Sequence, residues 1–283
     1  MKRGWLIYRK EDAVRNQDYI DWMKEEAILQ GLSLELLYRE ELDIGITHGS
    51  YGIWRNGCRL ELPDFAINRT VDPFFSFHME NMQIQVFNSS EISRICNDKA
   101  LTYQYIQQMG IPVIDSLFYQ KKDLPIAPPL PLPVVVKETG GRGGENVHLI
   151  HNQKDWEMAM QKLSQTSIIV QSADVQLGKD LRVFVVGQEV VAAVLRKNNH
   201  DFRANYKLGG NASLYQLTEK ESAAVQKIIR RFPFGMVGID FLIGKQGNLL
   251  FNEIEDAVGS RTLSKVEGPN IVQRYMKFIR QKL

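Results

Sequence analysis

The chain has 283 residues, 44% of them hydrophobic and 24% charged, and 35 basic side chains against 33 acidic ones leave a net charge of +2. This length exceeds the usual size of one hydrophobic core and predicts roughly two or three compact units of a globular protein. The small net charge favours neither nucleic acid nor an anionic membrane as a partner.

The cysteines and the apolar runs exclude two further classes. Cys58 and Cys96 form no CxxC pattern, which predicts a reducing, cytoplasmic setting without a disulfide framework or a thiolate metal site. The run "WLIY" near the N-terminus is too short for a signal peptide, and no run approaches about 20 apolar residues. Export and membrane insertion are therefore not expected.

The first predicted elements form a strand, helix, strand unit. Trp5–Tyr8 and Leu32–Tyr38 are predicted as parallel strands, and the apolar residues between 16 and 30 have helical spacing that ends at Gly31. The Asn-Gly pair in "GIWRNGCRLEL" predicts a hairpin with a type I′ turn, because both central residues tolerate positive φ. Together these elements predict a small open α/β domain over residues 1–92.

The next elements lead to a glycine-rich loop. Asn97 is predicted to cap a helix from Asp98 to Met109, which places Lys99 in the first turn. The segment "LPIAPPLPLP" fits either a polyproline ligand or an extended connector, and the connector is favoured. The strand "VVVK" then delivers Lys137 to the loop "ETGGRGGEN", and an apolar strand from Asn146 to Ile150 leaves it.

Strands dominate the rest of the chain. Thr218 and Glu221 have capping-box spacing before a helix that reaches Arg231, and Pro269 suits the first turn of a closing helix. The other predicted elements are a helix from Asp155 to Leu163, the strand "SIIVQ", a hairpin of "LRVFVV" and "EVVAAVLR" around "GQ", and two strands within "VGIDFLIGKQGNLLFNEIE".

The glycine-rich loop lacks two common nucleotide-binding patterns. No Lys-Ser or Lys-Thr follows its last glycine, as a Walker A loop requires, and "GRGGEN" does not complete GxGxxG. A loop with so few side chains still lets backbone N–H groups approach phosphates, with Lys137 supplying a point charge. A flexible hairpin with a surface lysine has the same pattern, so the loop alone leaves both interpretations open.

Three acids near the C-terminus suggest a metal site. Glu253 and Glu255 are two apart on one strand and so project from the same face, and a neighbouring strand can bring Asp240 beside them. Oxygen-only ligands suit Mg²⁺, and a nucleotide triphosphate would complete its octahedron. A solvated hairpin face is the alternative. Acids within otherwise apolar strands favour the metal, because burying them without a cation costs free energy.

A long basic stretch, "LRKNNHDFRANYKLGGNASLY", is a third candidate. Its cations and amides suit an anionic substrate or a triphosphate, although a solvated loop has the same composition; they are Arg196, Lys197, Arg203, Asn205 and Lys207. His148 and His151 are three apart at a strand end and tend to face opposite sides, so zinc is not expected. No serine lies in a GxSxG pattern.

In their order, these segments resemble the ATP-grasp superfamily, and within it the RimK-type carboxylate-amine ligases, over about residues 60–283. The matching segments are "NDKALTYQYIQQMGIPV", "VVVKETGGRGGENV", "IIVQSADVQLGKDLRVFVVGQEVVAAVLRK", "DFRANYKLGG" and "GIDFLI" with "LLFNEIE". The resemblance implies an α/β (α+β) ATP-grasp fold, in which a small N-terminal open α/β domain precedes two subdomains that clasp the nucleotide. The implied units are residues 1–92, residues 93–171 with a Gly-rich lid, and residues 172–283 with the metal site.

The resemblance also implies roles for individual residues. Lys99 and Lys137 would be the nucleotide-binding lysines, and Asp180 the ribose contact. The full implied nucleotide-binding set is Lys99, Lys137, Gly140, Gly141, Gly143, Gly144, Gln171, Ser172, Ala173, Asp180, Arg203 and Asn205, with Gln171 to Ala173 as the adenine hinge. The implied metal ligands are Asp240, Glu253 and Glu255, and the implied catalytic cations are Arg182, Arg196, Arg203 and Arg261.

Two positions depart from the family pattern. Ser172 stands where the adenine hinge usually carries an acid, so the base contact is expected to depend on backbone groups. Glu255 stands where the last metal position is commonly Asn, and its extra charge is expected either to be offset by Arg261 or to tighten metal binding. Within the first domain, Arg69 in "INRT" is the candidate residue for a contact with the active site.

The resemblance implies an ATP-dependent ligase that forms an amide bond through an acyl phosphate, with ATP and Mg²⁺, or Mn²⁺, as cofactors. The implied partners are a small-molecule, peptide or protein-tail carboxylate and an amine such as an amino acid, with neither nucleic acid nor membrane, and a homo-oligomer is an expected assembly. Two alternatives stay open at this point: a kinase on the same fold, and an ATP-binding regulatory module without chemistry.

Overall fold

The computed structural model describes residues 1–141, 146–164, 166–204 and 210–283. Its first part contains β1 (Lys2–Tyr8), α1 (Lys10–Arg15), α2 (Gln17–Leu29), β2 (Leu32–Tyr38), β3 (Leu42–Thr47), β4 (Ser50–Arg55), β5 (Cys58–Arg59), β6 (Phe65–Asn68), α3 (Pro73–Asn81) and β7 (Gln85–Phe87). Four of these strands form a parallel sheet in the order β2-β1-β6-β7, and β3, β4 and β5 form a separate antiparallel sheet.

The local predictions for this part are confirmed. β1 and β2 pair in parallel, and Gly31 ends the intervening helical segment with a φ of 70°. The turn between β4 and β5 has positive φ at both Asn56, 52°, and Gly57, 76°, as a type I′ hairpin requires. The carboxyl ends of β1 and β6 lie at one edge of the parallel sheet, the edge at which open α/β sheets place their functional groups.

The middle of the chain folds around a four-stranded antiparallel sheet. Its elements are α4 (Ser90–Cys96), α5 (Lys99–Gln108), β8 (Ser116–Gln120), β9 (Val134–Glu138), β10 (Val147–Ile150), α6 (Gln153–Lys162) and β11 (Ser167–Ser172), and the sheet has the order β10-β9-β11-β8. The proline-rich segment connects β8 to β9, and its Leu124 and Leu130 pack against the core of this sheet. This packing agrees with the connector interpretation.

One predicted cap in this part is wrong. Asp98, not Asn97, caps α5, because its carboxylate accepts a hydrogen bond from the Leu101 amide. Asn97 instead ends the short helix α4, and its side-chain amide donates to the Ser93 carbonyl. Helix α4 was not predicted from the sequence, and Asn97 was therefore assigned to the wrong end of a helix.

The last part is a five-stranded antiparallel sheet with flanking helices. Its elements are β12 (Val175–Val186), β13 (Glu189–Lys197), β14 (Asn211–Tyr215), α7 (Glu219–Arg231), β15 (Met236–Gly244), β16 (Leu249–Glu255), α8 (Arg261–Lys265) and α9 (Ile271–Lys282), and the sheet order is β14-β13-β12-β15-β16. The Thr218–Glu221 capping box is present. Pro269 does not lie in the first turn of α9, because Asn270 is the cap residue and α9 begins after it.

Hydrophobic clusters join the N-terminal parallel sheet, α4 and α5 to the C-terminal sheet, whereas the middle sheet packs in a cluster of its own. One cluster contains residues of α2, the N-terminal parallel sheet, β12, β13 and α9, and another packs α4 and α5 against β12, β15, β16 and α7. The predicted boundary at 92/93 lies within α4 and the one at 171/172 lies within β11, and the division into domains stays a prediction. None of the helices in the described ranges combines the length and the apolar character that a membrane span requires.

Candidate active site

A cleft lies between the middle sheet and the C-terminal sheet. Its empty volume, which includes solvent space at the open mouth, is about 830 Å³. Its apolar wall consists of Val135, Val147, Ala173, Val175, Leu177, Phe202, Ala204 and Leu242. Its charged and polar wall includes Lys99, Lys137, Asp180, Arg203, Asn252 and Glu253. The cleft therefore presents an apolar surface next to a charged one.

Three carboxylates cluster beside this cleft, and Glu253 is the one of them that lines it. Asp240 on β15 pairs in register with Glu253 on β16, and Gly238 pairs with Glu255. One carboxylate oxygen from each acid lies within 4.8 Å of the others. The predicted clustering of Asp240, Glu253 and Glu255 is present, and three oxygen donors at this spacing fit a hard cation such as Mg²⁺.

A β-bulge gives these acids a neighbour that strand alternation does not predict. Asp240 pairs with Glu253, but the next residue, Phe241, pairs with Phe251, so Asn252 is an extra residue on β16. Asn252 consequently lines the cleft together with Glu253. The only sequence signal for this role is the adjacency of Asn252 to a predicted metal ligand.

Two buried arginines hold the acids in place. Arg182 donates to both oxygens of Asp240 at 2.7 and 2.6 Å, and its Nη1 lies 2.9 Å from Glu255 Oε2. Arg196 donates to both oxygens of Asp180 at 2.6 Å and to Asp240 at 2.9 Å. Burial alone would raise the pKa of Asp240, but the two guanidinium groups outweigh it and lower that pKa to about 2.

Two lysines reach the same region from other elements. Lys99, at the start of α5, lies 3.1 Å from Glu253 Oε2 and donates to the Gly141 carbonyl at the base of the glycine-rich loop. Lys137, at the end of β9, donates to Asn252 Oδ1 at 3.0 Å. Burial lowers the pKa of Lys137 to about 8, despite the opposing effect of Glu253. Lys137 is therefore a cation that the surrounding protein solvates poorly.

Among the described residues, the clustered acids and the cations around them are equal in number. Four acids, Asp180, Asp240, Glu253 and Glu255, lie with four cations, Lys99, Lys137, Arg182 and Arg196. A nucleotide with four negative charges would unbalance this arrangement, and divalent cations bound with the nucleotide would restore the balance.

The predicted adenine hinge lines the cleft, and its amides are engaged. Gln171 is buried and donates to Tyr103 and Ser116. The amides of Ser172 and Ala173 donate to the carbonyls of Asp115 and Pro133. The Ser172 hydroxyl accepts from the Asp174 amide at 3.1 Å. If this segment binds a nucleotide base through its backbone, the contact therefore uses groups other than the amides of Ser172 and Ala173.

Of the remaining predicted residues, some line the cleft and others lie outside the described residues. Arg203 lines the cleft and pairs with Asp201 at 2.8 Å, and Asp180 lines it with both oxygens bonded to Arg196. Gly140 and Gly141 lie at the base of the loop, whereas Gly143, Gly144 and Asn205 lie outside the described residues. Lys179, which sequence reasoning missed, also lines the cleft.

Arg261 and Arg69 are not among the residues that line the cleft. Arg261 donates to the Arg15 carbonyl at 2.8 Å and to Asn16 Oδ1 at 3.1 Å, at the junction of α1 and α2. The prediction that Arg261 offsets Glu255 is wrong, because Arg182 makes that ion pair. The register of β12 against β15 decides this contact, since it places Arg182 opposite Asp240.

Comparisons with known proteins point to one family. Residues 96–279 match the RimK-like ATP-grasp domain. An uncharacterized protein of Mycoplasma genitalium is 26% identical over 298 residues, covering 100% of this chain and 96% of that protein. A protein of Histophilus somni named probable alpha-L-glutamate ligase is 29% identical over 214 residues, covering 72% of this chain and 70% of its own.

The fold is also that of a solved ligase structure. The ATP-grasp ligase PsnB, complexed with a phosphomimetic variant of its minimal precursor, Mg and ADP, superimposes with a TM-score of 0.71 at 14% identity. The match covers 99% of this chain and 98% of that one. The predicted ATP-grasp fold is therefore confirmed.

Proposed function

Because the chain belongs to the RimK-like ATP-grasp family and is an ATP-dependent ligase, we propose that it joins a carboxylate to an amine through an acyl phosphate. The observation that carries this proposal is that Lys99, Lys137 and Glu253 line one cleft with an apolar wall, with Asp240 and Glu255 clustered next to Glu253. The apolar wall suits a nucleotide base, and the charged end suits its phosphates.

The reaction has two transfers. The γ-phosphoryl group of ATP passes to a carboxylate oxygen of the first substrate, and ADP leaves. The amine nitrogen of the second substrate then attacks the acyl carbon, loses a proton and displaces phosphate. Both steps depend on offsetting charge rather than on a protein nucleophile.

In this mechanism each part of the site has a task. Asp240, Glu253 and Glu255 would hold Mg²⁺, which supplies charge neutralisation on the phosphate oxygens when it is bound. Lys137 would bind a phosphate oxygen, and the phosphate would favour the charged form that burial now disfavours. With Glu253 serving as a metal ligand, Lys99 would bind a phosphate oxygen in place of that carboxylate.

The arginines have different tasks. Arg182 and Arg196 are fully engaged with acids in the structure, so we assign to them the orientation of the metal ligands. Arg203 lies at the cleft with part of its side chain exposed, and we assign to it the contact with the transferred phosphoryl group. The glycine-rich loop would cover the site and exclude water, since hydrolysis of the acyl phosphate is the competing reaction.

We propose an amino acid, with glutamate as the first choice, as one of the two substrates. The name of the Histophilus somni relative supports this choice. The other substrate is a metabolite, a peptide or a protein tail. Homo-oligomeric assembly and the use of Mn²⁺ in place of Mg²⁺ stay predictions.

Mass spectrometry tests the proposal. The protein is incubated with Mg²⁺, ATP, glutamate or pooled amino acids, and a metabolite extract, and ADP and new masses are followed together. A product whose mass equals the sum of its two precursors minus one water supports the ligase. A product heavier by a phosphoryl group would instead identify a kinase, and ATP binding without turnover in any pool would favour the regulatory module.

The matched variants are Glu253→Gln and Glu25→Gln. Glu253→Gln removes one metal-site charge at nearly constant volume, and turnover is expected to fall by about 100-fold or more. Glu25 is exposed on α2, and its variant is expected to keep full activity. Full activity in Glu253→Gln would contradict the metal assignment.

A further inference from the structure

The loop that follows the metal acids is held by side chains from the N-terminal parallel sheet. Residues 256–260 come directly after Glu255. Arg69, just after β6, donates through Nη2 to the carbonyls of Ala257 at 3.1 Å and Val258 at 2.9 Å. Asn88, just after β7, donates to the carbonyl of Asp256 at 2.9 Å. Three consecutive carbonyls of the loop thus accept hydrogen bonds from two residues that are distant in sequence.

Asn88 also holds the strand that carries the third acid. Its Nδ2 donates to the Met236 carbonyl at 3.1 Å, and its Oδ1 accepts from the Gly235 amide at 2.6 Å. Met236 begins β15, on which Asp240 lies. One buried amide therefore connects the start of β15 to the end of β16, the two strands that supply all three acids.

The loop also packs against Gly238, which the Arg182 side chain borders. The Val258 side chain is 1% exposed. It lies so close to Gly238 that a Cβ at that position would be 2.7 Å from Val258 Cγ2 and 3.4 Å from Arg182 Cδ. Since Arg182 bonds both Asp240 and Glu255, a shift of Val258 would change the packing around Gly238, beside the side chain that orients two of the acids.

The guanidinium group of Arg69 lies between tyrosine rings and the carbonyls of this loop. Its guanidinium carbon lies 6.0 Å from the ring centre of Tyr8 and 5.5 Å from that of Tyr19. Its Nε is buried and has no hydrogen-bond partner among the described residues. The two hydrogen bonds to loop carbonyls are therefore charge-assisted and shielded from solvent, conditions that strengthen them.

We propose that Arg69 and Asn88 are positioning residues for the metal acids, through which the N-terminal sheet sets the metal affinity of the active site. The proposal rests on the proposed role of Asp240, Glu253 and Glu255 as metal ligands. It assigns to Arg69 an action through the loop and Arg182, rather than contact with a substrate.

The test compares Arg69→Met with Arg39→Met. Arg39 lies in the same part of the chain, pairs with Asp72 and stacks on Phe75, but it is not bonded to the loop. We expect Arg69→Met to raise the Mg²⁺ concentration for half-maximal ADP formation by about tenfold, the size expected for losing hydrogen bonds worth about 1.4 kcal/mol together. The rate at saturating Mg²⁺ and the KM for ATP are expected to stay within about twofold of wild type. Arg39→Met should leave the Mg²⁺ dependence unchanged.

Two further measurements separate the possible failures. Arg69→Lys keeps the cation and is expected to restore part of the Mg²⁺ affinity. Mn²⁺ binding, followed by paramagnetic resonance on protein without nucleotide, reports metal affinity even if no turnover is found. Weaker Mn²⁺ binding in Arg69→Met than in Arg39→Met would then support the positioning role although the proposed reaction had failed.

Three results would overturn the proposal. The first is an unchanged Mg²⁺ dependence with a raised KM for the carboxylate or amine, which would place Arg69 at a substrate. The second is an equal effect in Arg39→Met, which would indicate general destabilisation. The third is an absence of Mn²⁺ binding in the wild-type protein.

Discussion

The substitution Lys137→Met should stabilise the fold while it removes nucleotide binding. Lys137 is 6% exposed, and burial lowers its pKa from 10.5 to about 8. At about 1.36 kcal/mol per pH unit, this difference means that keeping Lys137 charged costs the folded state about 3 kcal/mol at pH 7. Losing the hydrogen bond to Asn252 offsets about 1 kcal/mol of the gain. A net stabilisation of about 2 kcal/mol remains.

The pH dependence has a definite sign. Because the pKa of Lys137 is lower in the folded protein than in the unfolded chain, the unfolded chain binds more protons between pH 8 and pH 10.5. The destabilisation is fully present below pH 8 and disappears as the pH rises toward 10.5. The advantage of Lys137→Met should therefore be largest at pH 7 and small at about pH 10.

Thermal unfolding with and without Mg²⁺ and ATP is the assay. At pH 7 and without nucleotide, Lys137→Met is expected to unfold about 5 °C above wild type. Added Mg²⁺ and ATP should raise the midpoint of wild type and leave that of the variant almost unchanged. Lys227→Met, at an exposed position of α7, serves as the control and should resemble wild type in both conditions. The reasoning is refuted if Lys137→Met is less stable than wild type at pH 7, or if its advantage is equal at pH 7 and pH 10.

Two further predictions follow from the geometry around the acids. Arg261→Met should leave turnover and Mg²⁺ dependence within about twofold of wild type, because Arg261 bonds to the α1–α2 junction; a large loss in steady-state kinetics would restore the original assignment of Arg261 to the active site. Gly238→Ala should destabilise the protein by about 1–3 kcal/mol in chemical denaturation, because a Cβ there meets Val258 at 2.7 Å. Gly259→Ala is its control, since a Cβ at Gly259 meets nothing within 4 Å, and equal effects of the two substitutions would contradict the packing argument.

The sequence was sufficient to predict features that depend on local backbone preferences. The hairpin around Asn56 and Gly57, the capping box at Thr218 and the strand, helix, strand opening depend on backbone preferences within a few residues. The alternation of Glu253 and Glu255 on one face depends only on the period of a strand, and it correctly brought them together. The order of these segments along the chain was enough to indicate the ATP-grasp fold.

Contacts between distant segments were decided by the tertiary structure. The pairing register of β12 with β15 made Arg182, rather than Arg261, the partner of Glu255. The bulge in β16 turned Asn252 into the cleft beside Glu253. Arg69 was considered in the sequence as a residue that reaches the site, and the fold placed it on the loop behind the acids instead.

The sequence by itself therefore determined the strand, helix, strand opening, the hairpins, the order of the motif segments, and which residue types carry charge toward a phosphate and metal site. Only the tertiary structure decided which cation pairs with which acid. The physical reason is the distance along the chain over which each effect acts. Backbone propensity and side-chain alternation act over a few residues, whereas an ion pair depends on the register and packing of strands that lie far apart in the chain, and no local pattern encodes that register.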